Sequence, residues 1–294
     1  VTQSDKDQTL GKILSNHSIR LTRRLGQHLL VNAHYLQTVI DNSDIDSVDL
    51  VLEVGPGPGN LTELLVAKAK RVLSVELDKR FCELLRRKFH DCGTFELHEC
   101  DILTSGSLNP VISDQLRQAG RWGLSANLPY NVASVLIIES LFWDTPPVYI
   151  CVMIQKEVAQ RIASPADSKH YGVLSVLIQA WAEVKIVASV PPGAFLPPPK
   201  VHSAIIQIVY KPKLAARIVQ PAFFRQFVSR LFRHRRKTLR GGWVKMQPVE
   251  AQSLIEKALT EMNIDSTRRP ETLTVEEFIA LSNRLAEAGQ IGLE

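Results

Sequence analysis

Apolar residues follow two spacings along this chain. Short unbroken runs, such as Leu50-Val51-Leu52-Glu53-Val54, suit strands buried on both faces; residues recurring every three to four positions, such as Tyr35, Leu36, Val39 and Ile40, suit one helix face. The first run leads into Gly55-Pro56-Gly57-Pro58-Gly59 and then a helix carrying Leu61, Leu64 and Leu65. The alternation continues with a strand over 71–76, a helix over 79–89, a strand near 95–98, a strand over 122–126, a helix over 135–142 and a strand over 149–155. Strands alternating with helices predict a parallel, doubly wound α/β sheet of the Rossmann-like kind.

The pattern changes after the helical stretch containing Val173, Leu174, Val176, Leu177 and Ile178. Residues 185–188 and 204–209 read as two strands joined by the proline-dense segment 191–199, which predicts an antiparallel hairpin at one sheet edge. Beyond Lys211-Pro212-Lys213 the spacing is purely helical. Phe223, Phe224, Phe227, Val228, Leu231 and Phe232 trace one apolar face, and Leu254, Ile255, Ala258, Leu259 and Met262 another. Thr274, with Glu277 three residues on, predicts a capping box before a last helix. Two domains are expected, 1–213 built on the sheet and 214–294 small and all-helical.

Composition narrows the class. With 294 residues, 45% hydrophobic and 22% charged, the chain can bury a full core. Its apolar runs stop short of a membrane span, and its first residues are too polar for a signal peptide, so the expected location is cytoplasmic. The four cysteines show neither a CxxC pair nor zinc-finger spacing, so reduced thiols and no metal are expected. The net charge of +5 matters through its distribution. Lys12, Arg20, Arg23 and Arg24 form a basic arm, and Arg225 to Lys245 holds eight Lys/Arg and no Asp or Glu, centred on Arg233, Arg235, Arg236 and Lys237, with Arg240 after them. Such a run is often only a solvated face; beside a base-binding pocket it predicts RNA or DNA binding.

The glycine turn after the first strand lets backbone approach a ligand closely. Alone it is weak evidence, because nicotinamide enzymes use similar turns. Glu76 ends the second strand and can accept from ribose hydroxyls; Asp101 follows the third and can accept from an adenine amino group. Gly55, Gly57, Glu76 and Asp101 thus fit an adenosine ligand. The GxGxG spacing, and the fourth strand running into Asn127-Leu128-Pro129-Tyr130, favour S-adenosyl-L-methionine over NAD.

An exocyclic adenine amine has its lone pair delocalised into the ring. Accepting its N–H bonds, through the Asn127 side chain and the Leu128 or Pro129 carbonyl, would free that lone pair, so positioning and electrostatics carry the rate. Tyr130 would stack on the extracted base. Phe195, on the stiff loop 195–201, is expected to close over its other face. The plain alternatives are a strand-ending Asn with a turn proline, and a proline loop with Phe195 in the core.

These residues resemble the ribosomal RNA adenine N6-dimethyltransferases, in the branch acting on 16S rRNA, across nearly the whole chain. The segments that carry the resemblance are RLGQHLL, VLEVGPGPGNLTELL, VELDKR, NLPYNVAS, QKEVAQR, YGVLSV, PPGAFLPPPKVHSA and HRRKTLR. The resemblance implies that His28 and Leu30 join Gly55, Glu76, Asp101 and Asn127 around the cofactor. It also implies that two adjacent adenosines in a hairpin near the 3′ end of 16S rRNA are each dimethylated within the small-subunit particle, by a protein expected to act as a monomer. His28 and Leu29 stand where the family more usually has Asn and Phe. Competing readings are a 23S rRNA adenine methyltransferase and an assembly factor acting mainly by binding; a DNA adenine methyltransferase would more often carry Asp-Pro-Pro-Tyr.

Overall fold

The computed structural model describes residues 28–287; the basic arm and the Arg24 to Gln27 part of the RLGQHLL motif lie outside the described residues. In chain order the main elements of the first part are β1 (Leu29–Leu30), α1 (Ala33–Asp41), β2 (Leu50–Val54), α2 (Asn60–Val66), β3 (Val72–Glu76), α3 (Lys79–Lys88), β4 (Phe95–Glu99), the short pair β5 (Leu103–Thr104) and β6 (Ser107–Leu108), and α4 (Pro110–Ala119). They are followed by β7 (Trp122–Asn127), α5 (Ala133–Phe142), β8 (Tyr149–Gln155), α6 (Lys156–Ala163), α7 (Val173–Gln179), β9 (Ala182–Val190), β10 (Phe195–Leu196) and β11 (Ser203–Tyr210). The rest is helical: α8 (Pro212–Ala215), α9 (Pro221–Arg233), α10 (Leu239–Gly242), α11 (Val249–Glu261) and α12 (Val275–Glu287).

Seven strands form one sheet in the order β4-β3-β2-β7-β8-β11-β9. The first five are parallel, and β11 pairs antiparallel with β8 from Ser203↔Gln155 to Val209↔Tyr149. The chain moves outward from β2 through β3 to β4, then returns to start the other half at β7. Strand order therefore reverses between β2 and β7, and a crevice opens at their carboxyl ends, where α/β sheets bind ligands. Burial follows position. Central β2 and β3 are buried throughout, whereas β4 at the edge alternates polar residues and is half-buried.

Two compact units divide the chain. One runs to Ala159 and resumes over Lys185–Tyr210; the other comprises Gln160–Val184 and the chain from Lys211 on. The sequence placed its boundary after residue 213, close to Lys211, and left 160–184 with the sheet. Side-chain packing explains the difference. The rings of Tyr171 and Trp181 pack on Phe232 and Phe224 of α9, at centroid distances of 6.2 and 5.5 Å, so this segment shares the core of the C-terminal helices. That core also holds Phe227, Leu231, Ile255, Leu259, Phe278 and Leu285. The Thr274–Glu277 capping box is present: Glu277 N–H donates to Thr274 Oγ1 (3.1 Å), and Thr274 N–H donates to the Glu277 carboxylate (2.7 Å).

Helix α4 was not foreseen. Asn109 caps it by accepting from Val111 N–H, and Pro110 occupies the first turn, where a missing N–H costs nothing.

Gly123 in β7 faces the ring of buried Tyr149, and a Cβ there would collide with that ring. Gly123→Ala is expected to lower stability by about 2–3 kcal/mol, whereas Gly93→Ala, where a Cβ meets open space, stays within about 0.5 kcal/mol. Urea denaturation midpoints of the two variants check this.

Candidate active site

The crevice begins at the glycine turn. Gly55, Gly57 and Gly59 all have left-handed backbones (φ +69°, +56° and +84°), which exclude most side chains at this turn. A Cβ on Gly57 would come within 3.1 Å of Leu29, so the missing side chain also lets β1 lie close over the turn.

The turn is tied to the next strand end by Glu76. Gly57 N–H donates to Glu76 Oε2 (3.1 Å), and the N–H groups of Leu77 and Asp78 donate to Oε1 (2.8 Å each). Burial holds the Glu76 carboxyl above the usual carboxylate range, and these three bonds oppose that shift. Three of its roughly four acceptor positions are thus used by backbone, which leaves less for a ribose than the two bonds the sequence suggests. Asp101 is exposed; its Oδ1 accepts from Leu103 N–H (3.0 Å).

At the end of β7, Asn127 Nδ2 donates to the main-chain carbonyl of His28 (3.0 Å). That bond fixes the amide orientation and leaves Oδ1 as the outward acceptor. Leu128 is buried and its N–H donates to the Met153 carbonyl (3.1 Å), while the Pro129 carbonyl accepts from Val132 N–H (3.2 Å). The Leu128 carbonyl is therefore the better second acceptor. Tyr130 shares a 2.8 Å hydrogen bond with buried Ser203, and its ring stacks on His28 at a centroid distance of 5.9 Å and 27° between planes. Burial raises the Tyr130 hydroxyl pKa, so this phenol is a tether and not a base. His28 Nδ1 lies 2.8 Å from the Pro197 carbonyl. A carbonyl only accepts, so that nitrogen carries the proton.

These groups line one open cleft: His28, Gly55, Gly57, Glu76, Asp101, Asn127, Leu128, Pro129 and Tyr130 come together in it. Leu30 does not; it faces an adjoining smaller cavity, and its carbonyl accepts from Asn60 Nδ2 (3.0 Å). Phe195 lines neither cavity. It is 3% exposed, pairs with Leu30 across β1–β10 and packs among Val39, Val51, Met153 and Ile205. The expected aromatic lid is corrected accordingly: its ring belongs to the core and has no face open to a base. His28 occupies a face of Tyr130 instead. Residues missed by sequence reasoning include Leu77 and Ile102, which line the same cleft as Asp101, and Ser203, which holds the Tyr130 hydroxyl.

The basic residues fall in the C-terminal unit, with differing environments. Arg233, Arg236 and Lys237 are exposed. Arg235 is engaged by Glu271 (2.6 Å) and donates to the Lys169 carbonyl (2.9 Å), and Arg240 lies 3.8 Å from Glu256. Among the described residues, no group of three or more His, Cys, Asp or Glu could hold a metal ion, and no helix is long and apolar enough to cross a membrane.

The model of the ribosomal RNA adenine dimethylase family matches residues 18–281, most of the chain. The chain belongs to this family. Members of the ribosomal RNA adenine dimethylase family are S-adenosylmethionine-dependent methyltransferases, so the chain is an enzyme of that class. A ribosomal RNA small subunit methyltransferase A from Bacillus licheniformis is 36% identical over 94% of this chain and 95% of its own length. One from a Geobacillus species is 36% identical over 93% and 94%. Among solved structures, a dimethyladenosine transferase from Plasmodium falciparum superposes with TM-score 0.75 at 24% identity, covering 89% of this chain and 98% of its own. The 23S rRNA methyltransferase ErmE gives 0.65 at 22%, covering 88% and 99%; both likenesses concern the fold.

Glu76→Ala removes the acceptor for three backbone N–H groups at a nearly buried site. It is expected to cost about 3 kcal/mol. Chemical denaturation checks this, and an unchanged midpoint would mean the turn does not depend on Glu76.

Proposed function

We propose that this chain transfers methyl groups from S-adenosyl-L-methionine to the N6 amino groups of two adjacent adenosines in a hairpin near the 3′ end of 16S rRNA, dimethylating each within the small-subunit particle. The observation that carries the reading is the pinned Asn127 amide, whose acceptor oxygen stands beside a cleft built for an adenosine ligand. Two relatives 36% identical to this chain are named for the small subunit, which favours that substrate over 23S rRNA. The enzyme is read as a cytoplasmic monomer contributing to small-subunit biogenesis.

The residues present fit the methyl donor. The side-chain-free turn at Gly55 and Gly57 would take its backbone-hugging portion, Glu76 its ribose, and Asp101 with Leu77 and Ile102 its adenine. When bound it supplies a methyl group activated by a sulfonium. Asn127 Oδ1 and the Leu128 carbonyl accept the two N–H bonds of the target amine and turn its lone pair outward. Tyr130, fixed by Ser203, holds the plane of the extracted base. The cleft provides orientation without a strong base, because an alkylated N6 is acidic enough to lose its proton to water.

For the RNA, Arg233, Arg236 and Lys237 are the phosphate contacts of choice, since Arg235 and Arg240 have carboxylates near them. The test is mass analysis of nucleosides from small-subunit particles lacking the modification, incubated with the protein and S-adenosylmethionine. N6,N6-dimethyladenosine in 16S rRNA is expected; methylation confined to 23S rRNA would overturn the assignment.

A further inference from the structure

The cleft is unevenly charged. One end carries the carboxylates of Glu76 and Asp101, whereas Asn127, Leu128, Pro129 and Tyr130 at the other carry no charge. Cations stand just outside that second end. Tyr130 is bonded to Ser203, the first residue of β11, and Ser203 pairs with Gln155, the last residue of β8. Lys156 follows Gln155, and its N–H donates to the carbonyl of His202 (3.0 Å). The start of α6 and the segment leading into β11 are therefore joined one residue beyond the Tyr130 contact.

That segment is held at both ends by residues that line the cleft. The Pro197 carbonyl lies 2.8 Å from His28 Nδ1, and Ser203 holds the Tyr130 hydroxyl. Pro199 between them is buried, which leaves Lys200, Val201 and His202 as an exposed tip on a stiff, doubly tethered loop. Lys156 is half-buried. Among the described residues neither its ammonium nor that of Lys200 has a carboxylate partner, and Glu157, beside Lys156, is exposed.

An extruded nucleotide stays joined to its RNA by the phosphodiesters on either side, so phosphates must lie where the base enters. The acidic end of the cleft repels them, and two unpaired ammonium groups near Tyr130 attract them. We propose that Lys156 and Lys200 form a phosphate clamp at the mouth of the cleft, gripping the backbone that flanks the target adenosine. The clamp rests on the RNA reading above and adds a separate step to it. Arg233, Arg236 and Lys237 dock the particle; Lys156 and Lys200 hold the strand distorted while the base is out of its stack.

A contact made only after docking changes the rate at saturation and not the concentration needed to reach it. The test is single-turnover methyl transfer to small-subunit particles, with the enzyme in excess and S-adenosylmethionine saturating. Lys156→Gln and Lys200→Gln are each expected to lower the rate at saturating enzyme about tenfold, with the half-saturating enzyme concentration within about twofold of wild type. Arginine at either position, which keeps the charge and the donors, is expected to restore the rate to within about threefold. The double glutamine variant is expected to lose part of the salt dependence of the saturated rate. Binding of S-adenosylhomocysteine, measured by calorimetry, is expected to stay within about twofold in every variant, which verifies a folded cleft.

Saturated rates within twofold of wild type overturn the clamp, as does a loss confined to the half-saturating concentration or one that tracks weakened S-adenosylhomocysteine binding. Wild-type methylation of 23S rRNA alone overturns the substrate reading, and the same variants assayed on that RNA then judge the clamp separately.

Discussion

Parallel strands can be joined only by crossovers, and a sheet that winds first one way and then the other must leave a gap where the directions part. Here that gap lies between β2 and β7. Everything chemical in the first unit is a strand end or a turn facing it: the glycines after β2, Glu76 closing β3, Asp101 after β4 and Asn127 closing β7. The buried strands behind these ends hold them in fixed relative positions.

The crevice is then tuned by hydrogen bonds that use the wrong-facing half of each polar group. Glu76 gives most of its acceptor capacity to backbone N–H groups and so fixes the turn it shares. Asn127 spends its donor on the His28 carbonyl and keeps its acceptor. Tyr130 spends its hydroxyl on Ser203 and keeps its ring. In each case the bond to protein selects which half of the group is left for a ligand, which is the preorganisation that a poorly nucleophilic amine requires.

Much of this could be read from sequence because it is local. The order of strands and helices, the glycine turn, the carboxylates at successive strand ends and the NLPY segment depend on neighbours within a few residues, and hydrophobic period exposes them. The failures are long-range. Phe195 looks like a lid because proline-rich loops are usually exposed; its burial depends on pairing with Leu30, far away in the chain. Arg235 counts as one more basic residue until Glu271 is seen beside it. Helices over 160–184 fall with the preceding sheet by connectivity, whereas Tyr171 and Trp181 pack with α9.

Activation of the target amine depends on one atom, the Asn127 side-chain oxygen, which stays open because the amide nitrogen is the group bonded to the His28 carbonyl. Single-turnover methyl transfer to small-subunit RNA, at saturating S-adenosylmethionine, measures its contribution directly. Asn127→Ala is expected to lower the rate about 100- to 1,000-fold. A rate within about threefold of wild type would contradict the claim that an accepting amide activates the target amine.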